Sequence, residues 1–279
     1  MSFLNPEAPL RRHYTEVDGL SICSRVATPG PDALAIVLVH GLGVSGRYLV
    51  PLAKALAAQY RVFVPDMPGY GSSDRPDHVL EVPELAQFLD HWLDTVGLEQ
   101  AVFLGNSFGC QVIAELALRY PHRIDRAILL GPTSDRTIRS VSQHLWRFFC
   151  DAPNERLSLS IVLAQEYLRA GMGRFIRNFQ MVLDDHIETK LPHMQMPTLV
   201  VRGSRDPLVS QLWVEEVTNL LPYGQLAVLP KAGHVPNYSD PAGLARLIDP
   251  FLKASPLTLS CQKSSAPGEQ RSESANSKS

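Results

Sequence analysis

The sequence predicts an α/β protein, a doubly wound, mostly parallel sheet with an inserted helical cap. Three observations predict it. Apolar, β-branched runs alternate with segments of helical period along most of the 279 residues; the alternation breaks between about Thr133 and Met194; and the motif Gly105-Asn106-Ser107-Phe108-Gly109 stands at a strand-to-helix junction. With 45% hydrophobic residues the chain can bury a large core, and its length fits one domain with an insertion.

The elements follow in order. Arg12 to Val17 and Leu20 to Ala27 flank Asp18-Gly19, a hairpin signal, and form an antiparallel start. Ala35-Ile36-Val37-Leu38-Val39 is the near-continuous apolar run of a strand buried on both faces. Tyr48 to Tyr60 has a helical pattern, Arg61 to Val64 is the next strand, and Pro65 to Ser73 is dense in turn formers. Leu85, Phe88, Leu89, Trp92, Leu93 and Val96 recur at helical spacing until Gly97. The strand Ala101 to Leu104 leads into the Ser107 motif, a helix runs from Cys110 to before Pro121, and Arg126 to Leu130 is buried strand again. Helical pieces then occupy Val141 to Phe149, Ser158 to Arg169 and Arg174 to Leu183. The sheet resumes at Pro197 to Gly203, followed by a helix over Leu212 to Leu221, a strand over Gln225 to Leu229 and a last helix marked by Leu244, Leu247, Ile248, Phe251 and Leu252. Residues 1-132 and 195-254 are therefore expected to form the core, 133-194 the cap, and the polar stretch 255-279 a disordered tail.

Charge and cysteine usage narrow the partners. The net charge of −2 gives no reason to expect nucleic acid or an anionic membrane surface, and no apolar run reaches spanning length. Cys23, Cys110, Cys150 and Cys261 lack metal-ligand spacing, so no metal or other cofactor is expected and the thiols read as reduced. The first residues lack the basic start and apolar stretch of a signal peptide, and a cytoplasmic location is the expectation. The expected partner is a small-molecule substrate; a homodimer is left open.

Gly-x-Ser-x-Gly between a strand and a helix is what a nucleophile elbow requires, because the turn must hold the serine in a strained conformation with its hydroxyl above the sheet. A serine hydroxyl needs a base to remove its proton, and the base needs an orienting carboxylate. Four motifs in order, His40-Gly41-Leu42-Gly43, Gly105 to Gly109, Gly203-Ser204-Arg205-Asp206 and Gly233-His234, make the chain resemble the α/β-hydrolases from about residue 12 to 254. The resemblance implies Ser107 as nucleophile, His234 as base and Asp206 as orienting acid, each in a loop after a strand. It also implies an oxyanion hole from the backbone N–H groups of Leu42 and Phe108. The substrate-facing set is expected to be Gly41, Asn106, Trp146, Phe149 and Val235.

Each assignment has a rival. Ser107 could be an ordinary turn serine, Asp206 a turn cap before Pro207 with Asp135 as the acid, and Cys110 is read as a small packing residue. His40 is read as structural, and the cap aromatics Trp146, Phe148, Phe149, Tyr167, Phe175 and Phe179 as cap core more than substrate wall. The leading functional expectation is hydrolysis of carboxylic esters of small or medium acyl substrates. A carbon–carbon bond hydrolase of vinylogous diketones is the enzymatic alternative, against which Val235 counts, since those enzymes usually carry tryptophan after the histidine. A non-catalytic ligand receptor on the same fold is the alternative from another class.

Overall fold

The structure is a computed structural model that describes residues 10–133, 135, 140–170 and 172–254. Its eight strands form one sheet: β1 (Arg11–Val17), β2 (Leu20–Ala27), β3 (Ala35–Val39), β4 (Arg61–Pro65), β5 (Ala101–Asn106), β6 (Ile124–Leu130), β7 (Thr198–Gly203) and β8 (Gly224–Leu229). Their order is β1-β2-β4-β3-β5-β6-β7-β8. β2 runs antiparallel to both neighbours, and every pair from β4 onward is parallel. Asp18 and Gly19 hold positive φ values of 51° and 77°, as a two-residue hairpin turn requires.

Side-chain alternation sorts each central strand between two cores. Val37, Val39, Phe103, Ala127, Leu129 and Val200 face α2 (Val82–Thr95), α3 (Phe108–Arg119) and α8 (Gln211–Leu220). Ile36, Leu38, Val102, Leu104, Ile128, Leu130 and Val201 face α1 (Val50–Leu56) and α10 (Pro241–Lys253). Both faces of the sheet are thus covered, which is why these strands read as continuous apolar runs. The order of the strands contains a reversal. From β3 the chain moves outward through α1 to β4, then crosses back through α2 to β5 on the other side of β3, so β3 and β5 diverge from a topological switch point.

Among the described residues, four α-helices lie between β6 and β7: α4 (Val141–Asp151), α5 (Leu157–Ala170), α6 (Met172–Asp184) and α7 (Ile187–Lys190). They are rooted on both sides of the sheet. Leu159 and Val162 of α5 join the core beside α1 and α10, while Val182 of α6 and Ile187 of α7 join the one beside α3. Gln111 of α3 donates to the Val182 carbonyl at 3.0 Å.

Some boundaries differ from the sequence reading. The helix expected over Tyr48 to Tyr60 is a 3-10 turn, Gly46–Leu49, followed by α1, because Pro51 fits only the first turn of a new helix. A short α9 (Pro236–Ser239) precedes α10, each opening with proline, and Asp240 caps α10 by accepting from Gly243 N at 3.0 Å. α3 starts at Phe108 rather than Cys110, since Ser107 alone makes the turn. The expected tail 255-279 lies outside the described residues.

Candidate active site

Several of the residues singled out above stand in the loops that follow β3, β5, β7 and β8. Ser107 follows β5 directly with φ 57° and ψ −121°, a conformation that L-residues rarely adopt, and its N–H is held by the Leu130 carbonyl at 2.9 Å. Two glycines allow the turn. A Cβ at Gly105 would lie 2.6 Å from the carbonyl of Gly109, and one at Gly109 would strike the Val39 carbonyl. Phe108 is the first residue of α3, so its N–H has no partner within the helix. Gly41 stands across from the serine: a Cβ there would be 3.5 Å from Ser107 Cβ. Leu42, next in the loop, is half-buried.

The other two strand ends bring the histidine and the acid. Asp206, three residues past β7, binds His234 Nδ1 through Oδ2 at 2.8 Å and accepts the N–H groups of Leu208 and Val209 through Oδ1 at 2.8 and 3.1 Å. Both residues are buried. His234 follows β8, and Nε2 of its ring is buried with no hydrogen-bond partner among the described residues. The ring packs on the residue after β6: a Cβ at Gly131 would be 3.0 Å from its Cε1. The neighbouring Leu130 carbonyl is the one that holds Ser107 N, so serine and imidazole flank the same step of chain. Asp135, the rival acid, accepts instead from the Ser210 hydroxyl at 2.7 Å. Burial works to lower the His234 pKa, but the charge and hydrogen bond of Asp206, with Asp151 and Glu155 beyond, outweigh it and hold it above the ordinary value.

Asn106 has a different place from the one expected. It is 1% exposed, its Oδ1 accepts from the Tyr48 hydroxyl at 2.9 Å, and its Nδ2 donates to the Leu130 and His234 carbonyls at 3.1 and 3.3 Å. It therefore sits buried behind the serine, with its amide tied to Tyr48 and the histidine loop. The Tyr48 hydroxyl in turn accepts the Gly41 N–H at 2.8 Å, so one chain of bonds spans the glycine loop, the elbow and the histidine loop. Trp146 is also displaced from expectation: on α4 it is 69% exposed. The side chain of Phe149 lies outside the described residues. Val235 is buried, and its N–H is held by Glu155 Oε1 at 2.7 Å.

His40 is structural in the way expected. Its Nε2 accepts from Met67 N at 3.0 Å and its Nδ1 lies 2.9 Å from the Gly41 carbonyl, which assigns the proton to Nδ1; burial lowers its pKa and keeps the ring neutral. Asp66 braces the same region, pairing with Arg25 at 2.6 Å and accepting from Gly46 N at 2.8 Å and Ser72 N at 3.0 Å. Burial pushes the Cys110 thiol well up, consistent with a packing residue.

A family model described as the alpha/beta hydrolase family matches residues 36–247, which is most of the chain. The chain belongs to the alpha/beta hydrolase family. Among curated relatives, this hydrolase is 26% identical to Esterase YbfF of Escherichia coli (strain K12) over 257 residues, covering 84% of this chain and 98% of that one. A membrane phospholipase A superposes with a TM-score of 0.77 at 21% identity, covering 88% of this chain and 86% of that one. A meta-cleavage product hydrolase from Pseudomonas fluorescens gives 0.67 at 23%, covering 86% and 97%. These two structural likenesses carry the fold. No helix among the described residues is long and apolar enough to cross a membrane.

Proposed function

We propose that this hydrolase cleaves carboxylic esters of small or medium acyl groups through an acyl-enzyme on Ser107. The observation that carries the reading is the pairing of a strained serine at the switch point with a histidine whose Nδ1 is bonded to Asp206 at 2.8 Å and whose Nε2 has no hydrogen-bond partner among the described residues. Asp206 holds the proton on Nδ1, so Nε2 keeps the lone pair a general base needs. Ser107 Oγ attacks the ester carbonyl while Nε2 takes its proton, and the N–H groups of Phe108 and Leu42 receive the oxyanion. Collapse expels the alcohol with the proton from His234; water then repeats the sequence and frees the acid. The insert 133-194, whose Leu159, Val162, Val182 and Ile187 pack into the two cores, acts as a cap over Ser107 and sets the acyl length accepted. The esterase relative supports the ester reading, and Val235 in place of tryptophan disfavours carbon–carbon cleavage.

The test is turnover of a p-nitrophenyl ester series and of a vinylogous diketone, with fluorophosphonate labelling of wild type and Ser107→Ala. Ester turnover with label only on wild type is the expected result. Diketone turnover in its place assigns the carbon–carbon reaction, and absence of both turnover and label assigns a receptor.

A further inference from the structure

Two carboxylates with no part in the reaction just described lie against the histidine loop. Asp151, the last residue of α4, receives the His234 N–H on its two oxygens at 3.3 and 3.2 Å, and Glu155, in the turn that follows, receives the Val235 N–H at 2.7 Å. Gly233 is what admits them, since a Cβ there would fall 2.6 Å from Glu155 Oε1 and 2.7 Å from Asp151 Oδ1. Asp151 is 3% exposed, and Glu155 Oε2 is buried with no hydrogen-bond partner among the described residues. Ionised carboxylates in such a place are costly unless nearby charge or donors compensate. Both also bear electrostatically on the His234 imidazole, which becomes positive when Ser107 attacks.

We infer that Asp151 and Glu155 are positioning residues for His234: the helical insert grips two successive amides of the histidine loop and places negative charge beside the ring. The inference rests on the serine-hydrolase reading above. The groups acting on the ring's charge come from two elements, Asp206 after β7 and the pair Asp151 and Glu155 from the insert, and all three favour the imidazolium. Glu155 in its turn faces Asp151, His234, the Val235 N–H and the Ser239 hydroxyl; burial is the largest influence and, with Asp151, pushes its pKa up to about 7. A carboxyl raised in this way is neutral below that value and charged above it, so its support for the imidazolium is present on the alkaline side and fades as pH falls. The insert thereby sets both where the base sits and at what pH it is free.

The experiment compares Asp151→Asn and Glu155→Gln, which keep an oxygen for each amide and remove the charge, with Asp151→Ala and Glu155→Ala, which remove both. The readouts are the NMR titration midpoint of the His234 ring, the pH profile of fluorophosphonate labelling, and kcat and KM on p-nitrophenyl butyrate. Losing a neighbouring negative charge should lower the His234 midpoint by about one pH unit in the isosteric variants, with the melting temperature retained. The alanine variants should in addition lose about tenfold in kcat with KM little changed. A midpoint at the wild-type value in both isosteric variants overturns the inference, whatever the alanine variants do and even if these fail to fold. If wild type neither turns over ester nor takes the label, the hydrolase reading fails on its own, and the NMR midpoint still decides whether the carboxylates act on the ring.

Discussion

Replacing Asp206 by asparagine isolates the contribution of one charge at nearly constant shape. The carboxylate makes three hydrogen bonds, to His234 Nδ1 at 2.8 Å and to the N–H groups of Leu208 and Val209 at 2.8 and 3.1 Å. Asparagine can keep the two amide contacts through its oxygen, so the loop should hold. Its NH2 would then face Nδ1, driving the ring proton to Nε2 and removing the lone pair that receives the serine proton. The charge is lost as well. At the 2.8 Å separation seen here and an effective dielectric constant of about 20, an ion pair is worth about 6 kcal/mol. At about 1.4 kcal/mol per tenfold change, this corresponds to roughly 10⁴ in turnover. The assay is kcat/KM for p-nitrophenyl butyrate at alkaline pH, with circular dichroism and a thermal melt to show that the fold is intact. Asp135→Asn is the control and should stay close to wild type, because its carboxylate serves the Ser210 hydroxyl. A folded Asp206→Asn within tenfold of wild type, or a collapse of activity in Asp135→Asn, would refute the assignment.

Three further outcomes are expected. Tyr48→Phe leaves the Gly41 N–H and Asn106 Oδ1 without their buried partner and should cost about 1 to 3 kcal/mol, seen as a lower melting temperature together with reduced kcat; wild-type values for both would remove the bond chain from the account. Because His234 titrates above the ordinary 6.5 and must be neutral to act, kcat/KM should rise with pH through a midpoint above that value; a midpoint below 6.5 would contradict the charge arrangement around the ring. Trp146→Ala should leave the preference for ester chain length within about twofold, since a ring 69% exposed has little to contribute to an acyl pocket; a larger shift in the chain-length profile would put the ring against substrate.

The alternation of elements and the local chemistry of the turns are legible along the chain. Ala35 to Val39 and Ala101 to Leu104 read as buried strands because their apolar character belongs to consecutive residues, and Gly105 and Gly109 read as an elbow because the crossing they permit is local. That Ser107, Asp206 and His234 each follow a strand was legible for the same reason. Contacts between residues far apart in the chain emerge only on folding. Asn106 stands next to the serine in sequence, but packing turns it inward onto Tyr48 and the His234 carbonyl. Trp146 is large and apolar, as a cap-core residue would be, yet on α4 it is 69% exposed. Asp151 and Glu155 carried no signal in their own neighbourhood, because their partners are 83 and 80 residues away and are backbone amides, which every residue has. Periodicity and turn chemistry are short-range properties and so can be read along the chain. Which buried polar group meets which amide depends on how the insert settles on the two cores, and only the folded chain contains that information.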